Sequence, residues 1–159
     1  MAATHFSGPV YSKGGFAGAV DATTGAVSQR VLDLSPTPTS ISTAGNVTLT
    51  AAQVLTGLII RDANAGNRTD TLPTAALLVA GLGGNAATST GGQAVVGLTI
   101  PLLMINTTGA ANTFQLAMGT GGTAVGTTTT GTVAQGTSRQ YFIRLTNVTS
   151  GAEAYSVYS

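Results

Sequence analysis

The side chains able to do acid–base or ligand chemistry are few and widely spaced in this chain. One imidazole, His5, stands near the start, cysteine is absent, and the five carboxylates, Asp21, Asp33, Asp62, Asp70 and Glu153, are nowhere closer than eight positions apart. Two carboxylates can share acid and base roles only if folding gathers them. A Ser–His–Asp arrangement would need His5 fixed deep in the fold, whereas its place in a glycine-rich start reads as a contact residue. Without cysteine there are no thiolate nucleophiles, disulfides or thiolate metal ligands. The Asp62-Ala63-Asn64-Ala65-Gly66-Asn67 run resembles a calcium loop only faintly, because Leu72 stands where the bidentate acid is required six positions after Gly66, so it reads as a surface turn. The glycines at 81, 83 and 84 and at 119, 121 and 122 follow a helical pattern or lie between strands, which is not the strand-to-helix placement of a phosphate cradle. The expectation is no enzyme: no catalytic, cofactor-binding or metal-ligating residue, and no cofactor.

The cations give the same answer for nucleic acid. Lys13, Arg30, Arg61, Arg68, Arg139 and Arg144 are dispersed, and the formal charge is only +1. A phosphate-tracking stripe needs clustered cations, and a stacking platform needs aromatics between them. The aromatics are four Tyr and four Phe with no Trp, and Tyr141, Phe142, Tyr155 and Tyr158 fall in the last two predicted strands. Alternation puts Tyr141, Ile143 and Leu145 on one face and Phe142 and Arg144 on the other, so Phe142 is either the mark of a second surface to be covered or a single scattered surface aromatic.

The elements that must position these residues are read as β. Ala, Gly and Thr make up 74 of 159 residues, with threonine suited to pleated half-buried surfaces and glycine to turns. Residues 1–45 hold Gly14, Gly15, Gly18 and Gly25 with Pro9, Pro36 and Pro38 and show no sustained periodicity, and are expected to form an extended N-terminal arm, with one strand in 26–34 and a stiff Ser35–Ser40 connector. Residues 46–159 are expected to form the β-rich domain. Val47 and Leu49 alternate with threonines, and Thr50 caps a helical turn over 51–55 that closes near Gly57. Leu58–Ile60 reads as a buried strand and Asp62–Asp70 as a polar loop. One short helix follows, with Thr71 as N-cap, Pro73 in its first turn and Gly81 or Gly83 as its stop. Five strands are expected after it, over 95–105 (at an edge or bent at Pro101), 113–117, 127–133, 139–146 and 154–158. The fold class is therefore all-β, an antiparallel β-sandwich or jelly-roll-like barrel.

The first ten residues have no basic segment followed by an apolar one, and the longest apolar runs fall well short of the ~20 residues of a bilayer span, so no export and no membrane are expected. Four Asn-X-Ser/Thr sequons, at Asn46, Asn67, Asn106 and Asn147, read as accidents of composition. Near-zero charge favours self-association, and the interface hydrophobes are expected from Tyr155, Val157 and Tyr158.

Several stretches resemble tailed-bacteriophage capsid decoration, or cement, proteins: His5-Phe6-Ser7-Gly8-Pro9-Val10; Val47 through Leu55 with Gly57-Leu58-Ile59; Asp70 through Ala75; Ile105 through Ala110; Arg144 through Thr149; and the closing Tyr155 through Ser159. The resemblance implies a structural virion protein on the capsid surface, made in the host cytoplasm, that binds the major capsid protein and commonly assembles as a homotrimer. It implies no catalytic residue. The contact candidates are His5, Phe6, Pro9, Val10, Tyr11 and Phe16 in the arm and Phe142, Tyr155 and Tyr158 in the body. The competing expectation is a tail-fibre or head-fibre module that grips host-surface glycans, which would place aromatics and carboxylates in a groove. A small hydrolase is disfavoured by the single histidine, and a surface-layer subunit by the start of the chain.

Overall fold

Leu58-Ile59-Ile60-Arg61 alternates in burial, with Ile59 and Arg61 buried and Leu58 and Ile60 half-buried, and it lies between two other strands of a sheet. The computed structural model describes residues 37–62, 66–109, 111–126 and 131–159, all within the compact unit Ser35–Ser159. In chain order its elements are β1 (Thr39–Ile41), α1 (Ala51–Leu55), β2 (Leu58–Arg61), β3 (Arg68–Thr71), α2 (Ala75–Gly81), β4 (Thr99–Asn106), β5 (Phe114–Ala117), β6 (Gly122–Ala124), β7 (Ser138–Asn147) and β8 (Ala154–Tyr158). Six strands form one sheet in the order β1-β2-β4-β7-β8-β6, and β3 pairs with β5 in a second.

The sheet is mixed, which corrects the antiparallel expectation. Only β4–β7 and β7–β8 run antiparallel, while β1–β2, β2–β4, β6–β8 and β3–β5 are parallel. The expectation assumed that successive strands pair through tight turns. Here only β7 and β8 do so, around Ser150-Gly151, and β2 reaches β4 by a crossover that contains β3 and α2.

Thr50 and Gln53 form a reciprocal capping box at α1, with Gln53 Oε1 accepting from the Thr50 N–H at 2.8 Å and Thr50 Oγ1 from the Gln53 N–H at 3.2 Å. The second helix starts later than the sequence predicts. Thr74 caps it, and Thr71 closes β3 instead, in register with Ala117. Gly83, at φ +78°, supplies the left-handed stop. The fold therefore has two short helices rather than one. β3 lies inside the span read as a loop, and β6 begins at Gly122, inside a span read as a turn. β1 lies in the stretch assigned to the arm. The expected strand over 26–34 and residues 127–130 of another lie outside the described residues.

Pro101 does not put β4 at an edge. The Leu103 N–H donates to Gly57 O, so odd-numbered amides of β4 point towards β2, and β2 begins pairing only at Leu103. At Pro101 there is no ladder bond to lose.

The inner face of the large sheet buries Ile59, Ile100, Leu102, Met104, Tyr141, Ile143, Leu145, Tyr155 and Val157. They form one core with Leu72, Phe114 and Leu116 from the β3–β5 side and with Val54, Leu78 and Val79 from the helices.

Candidate functional site

Acid–base chemistry needs a carboxylate that can reach a substrate, and the one carried into the core is fully engaged. Asp70 of β3 and Arg61 of β2 are both 0% exposed, with Arg61 Nε donating to Asp70 Oδ2 at 2.7 Å. The guanidinium also donates to the carbonyls of Thr43 (2.9 Å), Gly45 (2.7 Å) and Asp62 (2.7 Å), and Asp70 Oδ1 accepts from the Val47 N–H at 3.0 Å. Every donor of the fork is used, as burial of a guanidinium demands. Asn106, the register partner of Arg61, is equally buried and donates to Asn112 O and Val133 O. These groups organise the 41–47 and 106–113 segments. Among the described residues no three His, Cys, Asp or Glu side chains gather as a metal site. The sequons serve the backbone: Oδ1 of Asn46, Asn67 and Asn147 accepts from Thr69, Thr113 and Thr149.

Tyr155 was expected at an interface and is instead core, 1% exposed. Its hydroxyl accepts from the Gly119 N–H at 2.9 Å and donates to Pro73 O at 3.2 Å. Burial raises its pKa above the ordinary phenol value, and the Gly119 bond works against that. Gly122, paired with Tyr155, lies where a Cβ would run into the phenol ring. Val157 is buried too. Odd-numbered residues of β8 face inward, so only Tyr158 of that trio faces out.

The outward face is where the remaining candidates meet. Register places Pro101 beside Phe142 and Phe142 beside Tyr158, a row across β4, β7 and β8. Phe142 is 41% and Tyr158 37% exposed. Leu58, Ile60, Leu103 and Ile105 continue the same face on β2 and β4, with Leu58 against Leu103 and Ile60 against Ile105. Seven apolar residues thus form one patch, rimmed by Ser40, Thr99, Ser138, Gln140, Arg144 and Ser156. The sequence signals were Phe142 and Tyr158; Pro101 and the β2 residues were missed because their strand neighbours lie more than 40 positions away. His5, Phe6, Pro9, Val10, Tyr11 and Phe16 lie outside the described residues.

A shallow cleft of about 200 Å³ lies by α2 and the β7–β8 turn, with Asn85, Thr88, Ser89, Ser150 and Glu153 on its wall. Among the described residues no helix is long and apolar enough to cross a membrane. No family model, curated protein or solved structure matches the chain.

Proposed function

We propose that the chain is a structural virion protein, a decoration or cement protein that binds the outside of a bacteriophage head and stabilises it. The carrying observation is the outward face of the large sheet, seven apolar residues with one charge at the rim, a surface suited to holding another protein rather than transforming a small molecule. The resemblance of 46–159 to decoration proteins points the same way. In this reading the two sheets act as the layers of a sandwich, and the binding partner is the major capsid protein.

Such a protein acts by linkage, binding the assembled shell better than free subunits and so shifting rupture to harsher conditions. Added to undecorated heads of its own major capsid protein, the chain should raise their rupture temperature, by nearly the same amount in low and high salt because little charge is involved. An unchanged rupture temperature at full occupancy would remove the cement role.

The cleft with Glu153 and its ring of hydroxyl and amide groups favours the second reading, a module that binds host glycans. Saturable binding of a soluble sugar that is lost in Glu153→Gln would support it.

A further inference from the structure

We propose that the cleft beside α2 is a slot for a lysine side chain of a binding partner, taking the alkyl stem on its apolar lining and the ammonium at Glu153. For the partner's identity, the major capsid protein, the inference rests on the decoration reading above; for the ligand's chemistry it rests on the cleft alone.

Helix, turn and hairpin build the cleft together. Ala76, Val79 and Ala80 lie at i, i+3 and i+4 and so share one face of α2, where the two alanines leave a groove rather than a ridge. Val148, just after β7, adds to the apolar lining. The turn that follows α2 brings Thr88 and Ser89, and the β7–β8 turn brings Ser150 and Glu153. At the ~30 Å³ that one water occupies, the five heavy atoms of a lysine side chain need about 150 Å³ and fit within the cleft's volume of about 200 Å³. By the same measure the twelve heavy atoms of a hexose need about 360 Å³ and would stand partly in solvent. None of the lining residues is aromatic, so a sugar would have no ring to stack on.

Charge selects a cation, and hydrogen bonding selects an ammonium over a guanidinium. Glu153 is the one charged residue of the lining, and among the described residues no cation pairs with it. Its Oε2 already accepts from the Gly151 N–H at 2.9 Å, so Oε1 is the free oxygen. A guanidinium fork is matched by both carboxylate oxygens, whereas an ammonium is a point charge that needs one and has two further donors to place. The hydroxyls of Thr88, Ser89 and Ser150 line the same cleft and make no hydrogen bond to protein among the described residues, so they are acceptors for those donors. Lysine commonly lays its stem along apolar surface while its head stays at a polar edge, and the lining offers both. A partly exposed pair of this kind sets which lysine docks more than how tightly the head is held.

NMR titration of the full chain with Nα-acetyl-lysine N-methylamide tests this. Signals from α2, the turn after it and the β7–β8 turn should shift and saturate in the low millimolar range, as a ligand of this size allows. The norleucine analogue, which has the stem without the charge, should bind at least about threefold more weakly. The lysine compound should lose a similar factor with Glu153→Gln, which keeps an acceptor for the Gly151 N–H and removes only the charge. Ala80→Leu, which fills the groove, should weaken binding with the charge intact, and unchanged thermal melts will show that both variants fold. No saturation by about 50 mM, equal binding of the norleucine analogue, unchanged binding to Glu153→Gln, or tighter binding of N-acetylglucosamine at the same signals would each overturn the proposal. On undecorated heads, acetylating the lysines should weaken decoration by the unaltered chain a few-fold and by Glu153→Gln less. Equal losses in the two would overturn the assignment of the lysine to the head. A chain that takes the amine yet binds no head supports the slot and removes the decoration reading alone.

Discussion

The two ends of the core hold the large sheet to its neighbouring elements by opposite chemistry. At the β1–β2–β4 end a full charge, Arg61, reaches Asp70 of β3 and the carbonyls of the 41–45 segment. At the β8–β6 end a neutral phenol, Tyr155, reaches Pro73 O and the Gly119 N–H. Both are buried and satisfied, but they differ in what happens when one partner is lost. An orphaned guanidinium cannot shed its charge, whereas an orphaned carbonyl loses one ordinary hydrogen bond. The polar segments that cannot pack by themselves are gathered by the ion, and the segments already fixed by α2 and β6 need only the phenol.

The largest effect should come from breaking the ionic end on one side only. Asp70→Ala should cost about 3–5 kcal/mol in urea denaturation because it strands the buried guanidinium, and the double change Arg61→Met with Asp70→Leu should recover only the part due to that stranded charge, since it orphans the carbonyls of Thr43, Gly45 and Asp62. A double variant less stable than Asp70→Ala would mean that the bonds from the guanidinium to those carbonyls outweigh the stranded charge.

Alkaline pH should act on the tyrosine side. Burial pushes the Tyr141 hydroxyl up to about 12, against the pull of nearby Arg139, and raises that of Tyr155. Below pH ~10 these phenols are protonated in both folded and unfolded chains, so they add no pH dependence. Above it the unfolded chain ionises first, and stability should fall by something on the order of 2 kcal/mol up to pH ~12. Denaturation midpoints measured across that window should fall less in Tyr141→Phe.

Tyr155→Phe should remove the phenol's two bonds and cost about 1–2 kcal/mol. Thr50→Ala, which removes half of the α1 capping box, should cost about 1 kcal/mol and leave both ends of the core alone. Thermal melts of the two variants rank them, and a reversed order would make the helix cap the stronger fastening.

Much of the local structure was legible in the sequence, because short-range rules govern it. Thr50 and Gly57 announce α1, and the alternation of Tyr141, Ile143 and Leu145 gives the inner face of β7. What stayed hidden depends on partners distant in sequence. Arg68-Thr69-Asp70 reads as a loop, and Thr71 as a helix cap, because these polar residues look solvated, yet Asp70 is buried by Arg61, and nothing in a window of a few residues could show that pairing. Tyr155 and Tyr158 look alike in sequence, and only the parity of β8 against β7 separates a core residue from a surface one. The face around Phe142 was half legible for the same reason, since Leu58 and Ile60 join it through a parallel neighbour.

Parallel pairing also sets a timetable for folding. Leu58 meets Leu103, and Arg68 meets Phe114, only across about 45 residues of chain, whereas Phe142 and Tyr158 need only the turn at Gly151. Closing the longer loops costs entropy before it brings any contact, so the β7–β8 hairpin should form early, β4 should join it, and β2 should arrive with the crossover in place. During that wait the Asn106 edge of β4 is unpaired on its β2 side. A chain released at high concentration would therefore meet its greatest risk of mispairing there, before β2 has closed that edge.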